Sequence, residues 1–188
     1  FENCIALESI TIPNSVEWIM HGAFEGCKSL TSITIPNSIE DIDSFAFLNC
    51  DNLKTFKGKY ASKDGKYLVK DGTLIACIST GVSSFTVPHD VSVIGPHAFY
   101  GSSISQIILH DKIVAIEESA FMRCNNLTNI TIPNSVTVIK QNSDTASWIS
   151  NVIIDMDGNE YILGSNSELL INDLVEETIQ HLKMQGAK

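Results

Sequence analysis

The sequence predicts a strand-rich solenoid: six short coils whose strands stack into one parallel concave sheet, with a β-meander insertion and a C-terminal hairpin plus helix cap. Three observations predict it. A ten-residue phrase recurs as "ALESITIPNS" at 6 to 15, "SLTSITIPNS" at 29 to 38 and "NLTNITIPNS" at 126 to 135. The middle apolar residue of each such triplet falls at Ile10, Ile33, Phe56, Phe85, Ile107 and Ile130, in steps of 23, 23, 29, 22 and 23. The pair Ala-Phe keeps the same phase at Ala23-Phe24, Ala46-Phe47, Ala98-Phe99 and Ala120-Phe121. A period in this range means stacked supersecondary units, none of which buries its apolar edge alone.

Within a coil, Leu7, Ile10 and Ile12 reach the interior of a short strand because successive side chains alternate between faces. Pro then ends the strand, having no donor for the ladder. "N-S-V-x-x-I" follows as a turn and a short return segment, anchored by pairs such as Val16 and Ile19, Ile39 and Ile42, Val136 and Ile139. The Ala-Phe pair closes the coil. The expected result is one continuous ladder, with the six triplet centres buried in a single column.

The 29-residue step belongs to a coil that lacks its Ala-Phe pair. There "KYASKDGKYLVKDGTLIACIS" carries Asp64-Gly65 and Asp71-Gly72, the chemistry of tight turns that need positive backbone angles. Residues 59 to 81 therefore read as a β-meander. It adds only six residues net and must replace the return arc of that coil.

Residues 1 to 142 form the solenoid on this reading, and residues 143 to 188 its cap. "NVIIDMDGNEYILG" reads as a hairpin around Asp157-Gly158. "SNSELLINDLVEETIQHLKMQ" reads as an amphipathic helix with Ile171, Leu174, Val175, Ile179 and Leu182 on one face and a capping box from Ser165 to Glu168. Such a tail covers the open strand edge of the last coil.

The pattern L-x-x-I-x-I-P-x-S-V-x-x-I-x-x-x-A-F-x-x-C, with its interruption "Y-A-S-K-D-G-K-Y-L", resembles the BspA-like class of bacterial leucine-rich repeats over residues 1 to about 142. The resemblance implies a leucine-rich repeat solenoid of the α/β horseshoe class, strand-rich and non-enzymatic, secreted or displayed on the cell surface, and used in adhesion to host or neighbouring cells. Coil five, "SISQIILHDK", departs from it by lacking the Pro. The alternative is a structural spacer of a larger surface protein with no ligand of its own.

A net charge of −10 over 188 residues argues against nucleic acid as a partner. No apolar run approaches the roughly 18 residues of a transmembrane segment. The chain has neither an initiator Met nor a leader-like segment, and it reads as a fragment or a processed chain. Nothing in its pattern sets an oligomeric state. Cys4, Cys27 and Cys50 stand 23 apart and Cys124 shares their phase, so they read as a buried ladder position and not as disulfides or ligands. His89 and His110 end adjacent strands, but two ligands do not make a structural zinc site. "DMDGNE" places its Gly too early for a calcium loop. No catalytic motif, cofactor or metal site is expected.

The outward ladders of the concave face are Ser9, Ser32, Thr55, Ser84, Gln106, Asn129 and Thr11, Thr34, Lys57, Thr86, Ile108, Thr131. Small hydroxyls there need only β-propensity to explain them. Lys57, Gln106 and Ile108 depart from that default, as does His110 where Pro is expected. Residues 54 to 70 hold six lysines against Asp64, a local +5, whereas residues 143 to 188 hold eight acids against two lysines, or −6. Lys54, Lys57, Lys59, Tyr60, Lys66, Gln106, Ile108 and His110 are the candidate contact residues for a protein or anionic glycan ligand. The plainer account makes the lysines guards of a hairpin edge.

Overall fold

The computed structural model describes residues 1–127, 130–140, 153–155 and 160–161. Its strands are, in chain order, β1 (Trp18–Ile19), β2 (Ser32–Ile35), β3 (Asp41–Ile42), β4 (Thr55–Gly58), β5 (Tyr67–Lys70), β6 (Thr73–Cys77) and β7 (Ser84–Thr86). They continue with β8 (Val93–Ile94), β9 (Gln106–Ile108), β10 (Ala115–Ile116), β11 (Ile130–Ile132), β12 (Val138–Ile139), β13 (Ile153–Asp155) and β14 (Glu160–Tyr161). No helix occurs among the described residues, and the helix expected over 165 to 185 lies outside them.

Two strand families follow from the repeat. The triplets form the concave strands β2, β4, β7, β9 and β11, and the "V-x-x-I" segments form the return strands β1, β3, β8, β10 and β12. Register follows the period: Ile33 lies beside Phe56, Phe85 beside Ile107, and Ile19 beside Ile42, all in parallel. Alternation does the sorting. In β2, Ile33 and Ile35 are buried while Thr34 is exposed, and each fully buried Ile contributes about 1.5–3 kcal/mol relative to exposure.

The expected single ladder is not what forms. Ile33, Phe56, Phe85, Ile107 and Ile130 are all buried, but their strands fall into the separate sheets β2-β4, β7-β9 and β11-β13-β14. Coil one makes no strand at its triplet, and Ile10 is only half-buried because no described coil covers it. The larger break lies between β4 and β7. Gly65, at φ 71°, sets its turn against β4, and an added Cβ there would sit 2.3 Å from Thr55 Oγ1. The Phe56 N–H donates to the Gly65 carbonyl at 2.8 Å instead of to a neighbouring coil. The apolar core divides at the same place, with Ile33 and Phe56 in one cluster and Phe85, Ile107 and Ile130 in the other.

The meander does replace the return path of its coil. β5 and β6 form a hairpin whose loop, Asp71 at φ 50° and Gly72 at φ 76°, has the two positive angles of a type I′ turn. β6 then takes the return-strand place of coil three, pairing parallel with β8 through Leu74 and Ile94. The return sheet runs β12-β10-β8-β6-β5.

The tail joins the ladder. Ile153 lies 153 − 130 = 23 residues beyond Ile130 and pairs with it in parallel, and β13 pairs antiparallel with β14 as a hairpin requires.

Candidate binding surface

On the concave face, Lys57 stands beside Thr34 and Ile108 beside Thr86. Ile108 is 45% exposed at a rung where its neighbours carry Thr. The Ser84 hydroxyl donates to Gln106 Oε1 at 3.3 Å. His89 and His110 are neighbours, their ring centroids 4.5 Å apart. The Lys112 N–H donates to His110 Nδ1, which leaves the proton on Nε2 to donate to the Pro88 carbonyl at 2.8 Å. Both ring nitrogens of His110 are thereby occupied. With β4 and β7 not paired to each other, Lys57, and Lys54 just before β4, lie apart from the sheet that carries Gln106 and Ile108.

The basic stretch divides by role. Where coil six stacks on coil five, the Ser135 hydroxyl donates to the Ile113 carbonyl and the Thr137 N–H to the Val114 carbonyl. Coil two stacks on coil one in the same way, through Ser38 to Val16 and Glu40 N–H to Glu17. Above coil two there is no regular return strand to do this. Lys59 Nζ donates to the Ile39 carbonyl instead, and the Tyr60 hydroxyl to the Glu40 carbonyl at 3.1 Å. Lys66 Nζ reaches the Lys54 carbonyl at 3.2 Å, and Lys70 pairs with Asp41 at 2.6 Å. Lys54 and Lys57 are exposed and make no such bond among the described residues.

The missing arc also explains residues that sequence reasoning passed over. In regular coils the arc phenylalanines stack in register, Phe1 on Phe24 and Phe24 on Phe47 at 5.7 Å, Phe99 on Phe121 at 5.4 Å. Coil three has none to offer. Phe56 meets Phe47 edge-on at 5.3 Å and Phe85 meets Phe99 edge-on at 5.4 Å, which is why Phe replaces Ile at those two strand centres.

The cysteine ladder obeys the same geometry. Cys4, expected in the same buried ladder, is exposed because no described coil precedes it. The three buried ladder thiols each donate to the arc phenylalanine carbonyl of the coil before: Cys27 to Phe1, Cys50 to Phe24 and Cys124 to Phe99, at 3.2, 3.0 and 2.9 Å. Burial pushes the Cys50 and Cys124 thiols up to about 12, so neither is a nucleophile at neutral pH. Coil four has no arc beneath it, and Ser102 occupies the Cys position. Its hydroxyl accepts from the Ile104 N–H at 3.1 Å, within its own coil.

A cleft of about 370 Å³ opens where the arc is absent. From Leu74 to Phe85 the chain takes 85 − 74 = 11 steps, whereas from Ile42 to Phe56 it takes 56 − 42 = 14. The shorter path runs straight across the floor through Ala76, Cys77 and Ile78. The walls are the arcs of coils two and four. At one end they touch, Phe45 against His97 with ring centroids 3.7 Å apart and Ser44 Oγ 3.5 Å from His97 Nδ1. Burial lowers the affinity of His97 for a proton, against the pull of Glu118 and Asp43.

The family model of the BspA type leucine-rich repeat region matches six copies, over residues 1–64 and 76–165. The chain belongs to that family. The gap between the two matched stretches, 65 to 75, falls in the meander, and the match runs on through β13 and β14 to residue 165. Among solved structures, the pneumococcal vaccine antigen PcpA is similar at 21% identity and a TM-score of 0.56, over 68% of this chain and 40% of the antigen. A leucine-rich cell surface protein from Faecalibacterium prausnitzii is similar at 23% identity and a TM-score of 0.48, over 74% of this chain and 52% of that one. The former likeness shows the shared fold. This repeat module thus spans 40% of the length of the pneumococcal antigen. No curated protein matches the chain.

Proposed function

We propose that this repeat module is secreted or displayed on a bacterial surface and holds a protein or an anionic glycan on its concave face, without catalysing a reaction. The observation that carries the reading is the exposure of Ile108, 45% accessible on a face lined mostly by small hydroxyls. An apolar residue presented at an outward strand position serves contact and not solubility. Lys54 and Lys57 add positive charge that the fold itself does not use. The similar pneumococcal protein, a vaccine antigen, fits a surface location.

A spacer without a ligand is the second reading. It is favoured by Lys59, Tyr60 and Lys66, which cap backbone carbonyls and so have a structural reason to exist. Immobilised heparin at ~20 mM salt, where the Debye length is roughly 20 Å, separates the two. The binding reading expects wild type to be retained and released by salt, and Lys54→Glu plus Lys57→Glu to flow through. If both flow through alike, the lysines guard an edge and the spacer reading stands.

A further inference from the structure

We propose that the cleft left by the missing arc is a second binding site, for a neutral sugar residue, distinct from the charged concave face. Its volume of about 370 Å³ lies within the range of roughly 300–1,000 Å³ typical of small-ligand pockets. Among the described residues no lysine or arginine lines it, so a phosphate, sulfate or carboxylate ligand would meet no counter-charge from them. Its chemistry is that of hydroxyl recognition. Ser79, Thr80 and Ser103 line the cleft; Thr80 and Ser103 donate to the Asp51 and Ser79 carbonyls and so present acceptor oxygens to sugar hydroxyls, while the Ser79 hydroxyl can donate and accept.

Three further lining side chains, the Asn49 amide, the Asp51 carboxylate and the Tyr100 hydroxyl, make no hydrogen bond among the described residues. An amide, a carboxylate and a phenol within one cleft supply the mixed donors and acceptors that fix a pyranose in one orientation. Tyr100 also brings an aromatic surface for the apolar C–H face of the ring, and Arg123, 5.4 Å from its centroid, holds it in place.

Backbone strain does not distinguish the cleft. Asn49 and His97 have positive φ, yet so do Asn3 and Arg123 in the phase of Asn49, and Ser119 in the phase of His97. The distinguishing feature is the removal of an arc, which turns a sealed inter-coil contact into a lined opening.

Saturation-transfer NMR with methyl glucoside, methyl galactoside and methyl mannoside tests the proposal on the full chain. Transfer to at least one of the three is expected, unchanged when salt is raised because the ligand is neutral. Affinity should fall about tenfold or more in Tyr100→Ala, equivalent to about 1.4 kcal/mol. It should be lost in Thr80→Trp, which fills the mouth from an exposed position. The Lys54→Glu plus Lys57→Glu variant should bind the pyranoside as wild type does, so failure of the concave-face reading leaves this result intact. Absence of transfer to all three in a protein that melts cooperatively would overturn the proposal. So would binding that survives both cleft variants, or a sulfated pyranoside that binds more tightly than its neutral parent.

Discussion

Coil two and coil three begin alike and end differently. Both place an apolar residue, Ile33 or Phe56, at the centre of a concave strand, paired in register. Coil two then makes a return strand and an Ala-Phe arc, so the ring of Phe47 stacks on Phe24 and the thiol of Cys50 caps the coil below. Coil three makes a hairpin and a shortened path. Substitutes appear in coil three itself and in coil four: Phe56 and Phe85 for the absent ring, Lys59 and Tyr60 for the absent return donors, Ser102 for the absent use of a thiol. In a stacked architecture each coil supplies the next one's hydrogen bonds and packing, so deleting an arc rewrites the residues on both sides of it.

The most damaging way to break the comparison is to remove the substitute ring. Phe56→Ala should cost about 3–5 kcal/mol in urea unfolding, whereas Ile33→Val in the regular coil should cost about 0.5–1.5 kcal/mol. Equal costs would mean that Phe56 is not filling the space of an arc.

Next comes the thiol. Cys50→Ala removes one of two donors to the Phe24 carbonyl, which keeps the Cys27 N–H at 3.2 Å, and should cost about 0.5–1.5 kcal/mol. Ser102→Cys should not stabilise, because no arc carbonyl lies beneath it and Ile104 N–H loses its oxygen acceptor. A gain on Ser102→Cys would disprove the carbonyl rule.

The seam should also respond to acid. His97 binds a proton less readily when folded than its ordinary value of 6.5, owing to burial, so the unfolded chain takes up protons first as pH falls. Stability is therefore full above pH 6.5 and declines as pH drops from there toward the folded value. The groups facing His97 are Glu118, Asp43 and His21. Melting temperatures of wild type and His97→Phe should converge on acidification, and parallel curves would exclude His97 as the titrating group.

The smallest effect is expected at the meander's outer tie. Lys70 holds Asp41 in its charged form by a direct hydrogen bond, but Asp41 is 64% exposed at its side chain. Lys70→Ala should change stability by less than about 1 kcal/mol. A larger loss would show that the pair anchors the hairpin to coil two.

The period, the strand phase, the buried face and the location of the interruption were all legible in the sequence, because they depend on side chains spaced along one chain. The solenoid class and the replacement of an arc by the meander at residues 59 to 81 follow from counting alone. The same holds for the cysteine ladder, although the carbonyl each thiol meets does not. Three matters depended on contacts between coils. The Gly65 turn occupies the edge of β4 and splits the ladder, which no spacing announces. Lys59, Tyr60 and Lys66 look like a basic patch in the sequence, and only the carbonyls of Ile39 and Glu40 in the coil before, and of Lys54, show that they are fastened inward. Gln106 and Ile108 share a sheet that Lys57 does not. The cleft is the clearest case, since it is made from two arcs 52 residues apart, Ala46-Phe47 and Ala98-Phe99, and from what is missing between them. A sequence records the residues that are present, and the space left by an absent arc exists only once its neighbours are stacked.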